Sequence, residues 1–124
     1  MGIPEGRSGE AEEKEEMLRK GDIVVVPFPF SDLSSVKIRP ALVVAILPGR
    51  DVILCMITTF PHSEWNTIPI DESDIEVGHF RQQSYIRPAR LFTADRIRII
   101  YKIGSFKREL TERATQALVS ILTA

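Results

Sequence analysis

Arg39 and Thr58 are the residues of this 124-residue chain best suited to act together on a phosphate. A guanidinium presents planar, bidentate donors that fit phosphate oxygens. A threonine hydroxyl adds a further hydrogen bond beside it. Their spacing brings the two together. β-Branched runs over 39–46 and 52–58 flank a turn at Pro48-Gly49-Arg50, which is the pattern of an antiparallel hairpin. With the hairpin centred between Pro48 and Gly49, the numbers of facing residues sum to 97, and Arg39 faces Thr58. Facing residues share one face of the sheet, with Cβ atoms ~4.5–5.5 Å apart. A slip of one residue would send the two side chains to opposite faces.

Other elements must hold that hairpin. The run over 22–26 is almost continuously apolar and reads as a central strand, stopped by Pro27 and Pro29, which cannot donate to a ladder. Phe28 and Phe30 then lead into a polar loop over 31–37 that hangs over the hairpin's open end. A loop over 60–66 follows the hairpin, then a short strand over 67–70 and an acidic, then polar, connection over 71–83. Residues 84–94 read as a longer strand in which Pro88 marks an edge or a bulge. The pattern over 96–102 fits neither period. Residues 111–122 read as a helix with Thr111 as N-cap, Glu112 in its first turn, and Leu110, Ala114, Ala117, Leu118, Ile121 and Leu122 as its apolar stripe. The expected fold is mainly β with a C-terminal helix: a small, curved, mostly antiparallel partial barrel of five to six strands.

Composition sets the frame. The 124 residues suit one domain, and 44% hydrophobic with 27% charged residues is ordinary for a globular protein. No apolar run approaches the ~20 residues of a membrane span, and no signal-peptide core is visible. Cys55 is the single cysteine, which points to a reducing cytoplasm. Placed mid-strand, it reads as a small buried apolar residue and not as a nucleophile. Residues 1–19 read as a charged, flexible extension ahead of a domain over 20–124. Its apolar content is too low to dock, and Met17 offers an alternative start. Six glutamates against four cations leave residues 1–20 at −2 and the remainder at +1, with the stretch 81–113 locally basic.

Several chemistries lack their residues. The chain has no P-loop, no dinucleotide-binding glycine turn, no cysteine pair and no His-Glu-x-x-His. His62 and His79 stand apart with no metal-ligand spacing, so neither a metal nor a cofactor is expected.

The ordered set Gly21-Asp-Ile-Val-Val-Val-Pro-Phe-Pro-Phe, Arg39-Pro-Ala-Leu-Val-Val and Ile57-Thr58-Thr59 resembles the MazF/PemK toxins, small endoribonucleases of toxin–antitoxin pairs. Ser84-Tyr-Ile-Arg-Pro, Leu91-Phe-Thr-Ala-Asp and Lys102-Ile-Gly-Ser-Phe resemble the family's later segments, so the likeness runs from about Lys20 to the C-terminus. The resemblance implies an SH3-like, CcdB-type barrel used as a homodimer. It also implies metal-independent cutting of single-stranded RNA, mRNA in particular, with the catalytic Arg and Thr on Arg39 and Thr58. Hairpin pairing reaches the same two residues separately.

A route without metal uses RNA's own 2′-OH as nucleophile and leaves a 2′,3′-cyclic phosphate and a 5′-OH. It requires a proton acceptor, a proton donor and positive donors at phosphorus. For the acceptor, His62, a polarised Arg39 and a polarised Thr58 all stand as candidates. The expected RNA contacts are Phe28, Phe30, Lys37, Thr59, Trp65, Ser84, Arg87 and Arg90. Of these, Phe28 is as well suited to the core, Trp65 to packing, and Ser84 to capping. The partner that the resemblance implies is an antitoxin whose acidic C-terminal segment occupies the RNA site, and DNA is met only through it. Two other classes share the features: a CcdB-like gyrase-binding toxin, and a non-catalytic RNA- or protein-binding barrel. The first family relies on a C-terminal Trp-Gly-Ile, whereas this chain ends Ile121-Leu-Thr-Ala. The retained Arg39–Thr58 pair disfavours both.

Overall fold

The β-branched runs form seven strands. A computed structural model describes residues 18–28, 37–60 and 66–124. The strands are β1 (Asp22–Phe28), β2 (Lys37–Ile46), β3 (Asp51–Thr58), β4 (Ile68–Ile70), β5 (Ile75–Val77), β6 (Ser84–Asp95) and β7 (Tyr101–Phe106). One helix, α1 (Arg108–Leu122), follows them. The sheet has the order β4-β6-β3-β2-β1-β7-β5, with every neighbouring pair antiparallel. It curls into a half-barrel, the mainly β architecture with a C-terminal helix that the sequence implies.

The strand count exceeds the expected five to six because β5 and β7 escape the sequence pattern. β5 has three residues, too few for a period of two to show. It exists because β7 holds it, with Ile75 opposite Phe106 and Val77 opposite Ser105. Gly104 permits that approach: a Cβ there would lie 2.1 Å from the Val77 carbonyl oxygen. β1 continues through Pro27 to Phe28 and does not stop at Val26. Its pairing with β7 ends at Val25, whereas its pairing with β2 continues to Phe28. Pro27 therefore sits where β1 has one neighbour and no ladder donor is missed.

Two buried clusters occupy the two faces. On one face lie Val24, Val26, Phe28, Ala41, Val43, Val52, Leu54 and Met56, with Phe92 and Ala94 against them. Leu18 joins this cluster, so the apolar anchor begins one residue before Arg19, inside the stretch read as an undocked extension. On the opposite face Ile23, Leu42, Val44, Cys55, Ile57 and Ile86 receive Leu110 and Ala114 of α1. The helix begins at Arg108, earlier than expected, and Thr111 is not its N-cap. Backbone bonds fix the entry, from Phe106 N to Gly21 O at 2.9 Å and from Lys107 N to Asp74 O at 2.8 Å. Thr111 is instead a buried residue of the first turn, its hydroxyl donating to the Lys107 carbonyl at 3.4 Å.

Cys55 lies within the second cluster, and burial pushes its thiol pKa up to about 12. Only the thiolate attacks. At pH 8, roughly 10⁻⁴ of the thiol is ionised, and the side chain is fully buried. A thiol reagent added to the folded protein at pH 8 is expected to leave Cys55 unmodified, and to label one thiol in full after denaturation. Stoichiometric labelling of the native fold would overturn its assignment as a core residue.

Candidate active site

The hairpin register is carried by a bulge that the sequence does not show. Next to the turn, Ala45 faces Ile53 and Ile46 faces Val52, so facing numbers sum to 98. The register shifts at Val44, and from Val43–Leu54 to Ala41–Met56 the sum is 97. The extra residue on β2 thus restores the expected register before the open end. The β2–β3 pairing ends at Ala41–Met56, and the same register carried two residues further brings Arg39 level with Thr58. Their outer neighbours are direct pairs: Arg39 faces Val26 on β1, and Thr58 faces Tyr85 on β6. Tyr85 in turn faces Pro69 on β4. One row therefore crosses the sheet as Pro69, Tyr85, Thr58, Arg39, Val26, all on the face of the first core cluster.

Neighbouring positions add charge to this end of the face. Lys37, two residues before Arg39, is exposed opposite Phe28. Arg87, two residues after Tyr85, faces Met56 and is only 7% exposed. Its Nη1 lies 3.9 Å from the Met56 Sδ. Its burial sets the guanidinium beneath the surface of this end of the face. The Arg39 Nε is buried and has no hydrogen-bond partner among the described residues. A buried donor without an acceptor costs about 1–3 kcal/mol, so this Nε is suited to meet an acceptor brought by a ligand. Thr58 is nearly buried, and its Oγ1 accepts a hydrogen bond from the Phe60 backbone N–H at 3.1 Å. That bond fixes the hydroxyl oxygen and leaves its proton to be donated.

The remaining expected contacts divide. Thr59 is exposed directly after the pair. Arg90 is exposed within the bulge of β6, where three extra residues, Pro88 to Arg90, separate Met56–Arg87 from Cys55–Leu91. Pro88 thus marks a bulge and not an edge. Phe28 is a core residue, 5% exposed, its ring centroid 4.7 Å from that of Phe92. It is not a surface stacking residue, in keeping with the packing alternative. Ser84 does not join the row. It pairs with Ile70 and so points to the helix-covered face, where its buried hydroxyl donates to the Gln82 carbonyl at 3.0 Å. Phe30, His62 and Trp65 lie outside the described residues.

The basic stretch 81–113 does not form one patch. Lys102 pairs with buried Asp22 at 3.4 Å, and Arg113 approaches Asp74 at 4.0 Å, both away from the row. Among the described residues no three His, Cys, Asp or Glu side chains gather as metal ligands, and no helix is long and apolar enough to cross a membrane. Two aromatic residues were not anticipated. Phe60, 67% exposed, follows the pair directly, and Tyr85 stands beside Thr58.

The family model of the PemK-like, MazF-like toxins of type II toxin–antitoxin systems matches residues 19–122. The chain belongs to this family. Solved structures share the fold. One is an endoribonuclease from a mycobacterial species, 16% identical, with a TM-score of 0.65 over 86% of this chain and 91% of that one. The Mycobacterium tuberculosis toxin MazF-mt6 is 15% identical, with a TM-score of 0.63 over 82% and 96%. A mycobacterial endoribonuclease in complex with its cognate antitoxin is 16% identical, with a TM-score of 0.63 over 86% and 94%. No curated protein sequence matches the chain. The MazF/PemK match covers β1 to α1, so the row lies wholly inside it.

Proposed function

We propose that this MazF/PemK-type toxin is an endoribonuclease that cuts single-stranded RNA at the Arg39–Thr58 pair by internal attack. The 2′-hydroxyl gives up its proton to a base as its oxygen bonds to phosphorus, the bond from phosphorus to the 5′-oxygen breaks, and the leaving 5′-oxygen takes up a proton to become the 5′-OH. The guanidinium of Arg39 binds the non-bridging oxygens, and the Thr58 hydroxyl donates beside it. Both interactions strengthen as negative charge builds in the transition state. The observation that carries this reading is the buried Nε of Arg39, without a partner among the described residues, on the same face as a threonine hydroxyl whose oxygen is already fixed by a backbone N–H. The nearby cations, Lys37 and Arg87, suit a polyanion.

The reading also includes regulation. An antitoxin with an acidic segment is expected to occupy the same row and compete with RNA for its cations, and the toxin is expected to be a homodimer. A strict monomer by light scattering at micromolar concentration would contradict the dimer.

The test of the cleavage reading is the product. Purified protein incubated with a mixed-sequence single-stranded transcript in excess EDTA is expected to give fragments ending in 2′,3′-cyclic phosphate and 5′-OH. A single 2′-deoxy substitution at a mapped cut site is expected to abolish cleavage there. Cleavage that needs added metal and leaves 5′-phosphates would refute the mechanism.

A further inference from the structure

We infer that Tyr85 is a stacking platform for the nucleobase beside the scissile phosphate. The inference rests on the reading of the Arg39–Thr58 pair as the cleavage site. Tyr85 is the direct cross-strand partner of Thr58, so the two side chains rise from the same face. Thr58 and Tyr85 are therefore about one strand spacing, ~4.8 Å, apart, and Arg39 lies on the other side of Thr58 if the β2–β3 register is carried two residues past its last pair. A phosphate held by Arg39 and Thr58 has its own sugar and base within reach of the next strand over, and Tyr85 is what that strand presents.

The ring is placed to receive a base. It is half-buried, with neither a hydrogen bond nor a ring contact to any described residue. Its other cross-strand neighbour, Pro69, is exposed and offers no polar group. Tyr85 and Pro69 thus continue the row as an apolar floor beside a cationic, hydroxyl-bearing end. A nucleotide has the same division, a charged phosphate and an apolar π-face.

Base–aromatic stacking is lost by about 5- to 150-fold when the ring is truncated to alanine. The probe is a short single-stranded RNA containing a cut site mapped with the native protein, made uncleavable by 2′-deoxy substitution at that site. Tyr85→Ala is expected to weaken its binding about 5- to 150-fold by fluorescence anisotropy. Tyr85→Phe keeps the ring and is expected to bind within about twofold of the native protein. A second arm leaves the protein untouched. An abasic nucleotide on the stacked side of the cut site is expected to weaken native binding by a similar factor, and to have no further effect on Tyr85→Ala. A merely structural role would not produce that loss of sensitivity.

Equal binding by Tyr85→Ala, or abasic effects that persist in it, would overturn the inference while leaving cleavage at Arg39–Thr58 intact. Failure of the native protein to cut any RNA would defeat the cleavage reading, and the platform with it. If Tyr85→Ala does not fold, the abasic arm on the native protein decides alone, and indifference to the missing base at both flanking positions overturns the proposal.

Discussion

Arg39→Ala is expected to slow RNA cleavage by roughly 10²–10³, the cost of losing a donor aimed at charge that develops in the transition state. Stability should barely change. The side chain is only half-buried, and its Nε has no partner among the described residues, so truncation removes an unmet donor and no stabilising bond. Arg39→Lys should fail nearly as badly, because an ammonium is a point charge and cannot make the bidentate contact. Cutting rates and melting temperatures of the three proteins test this directly. Normal cutting by Arg39→Ala would place the active site elsewhere. Its unfolding would make Arg39 a structural residue.

Local patterns made much of the candidate site's placement legible, and non-local pairing accounts for what they missed. The Pro48-Gly49 turn between two β-branched runs announced the hairpin. The register at its open end followed from a centre that the structure moves: pairs near the turn sum to 98, and one bulge residue at Val44 returns the sum to 97. A bulge leaves no mark in hydropathy, because the extra residue is as apolar as its neighbours. Without that bulge, Arg39 and Thr58 would be out of register by one residue. Ser84 and Tyr85 show the same sensitivity from the other side. They are adjacent in sequence, and strand parity sends Ser84 under the helix and Tyr85 to the row. Choosing between them requires the pairing of β6 with β3 across more than twenty intervening residues, which no single-strand pattern encodes. The helix start was missed for a related reason. Thr111 has the chemistry of a cap, but backbone bonds from Phe106 and Lys107 to the Gly21 and Asp74 carbonyls fix the chain so that the helix begins before reaching it.

Thr58→Val is expected to reduce cleavage by about 10²-fold, near the loss for one oxyanion-type donor. It keeps the β-branched shape that suits a strand, but unlike the arginine change it is not neutral for folding. The Thr58 Oγ1 accepts from the Phe60 N–H at 3.1 Å in a nearly buried setting, and losing one such bond costs about 0.5–1.5 kcal/mol. A fall of a few degrees in melting temperature should accompany the rate loss. Thr58→Ser restores the hydroxyl and should recover most of both. The double variant with Arg39→Ala should lose less than the product of the single losses, because both groups act on one phosphate and neither is fully effective once the other is gone. Valine cutting at the native rate while melting lower would reduce the hydroxyl to a holder of the turn after β3. Losses that multiply in the double variant would mean that Arg39 and Thr58 serve separate steps and not one shared charge.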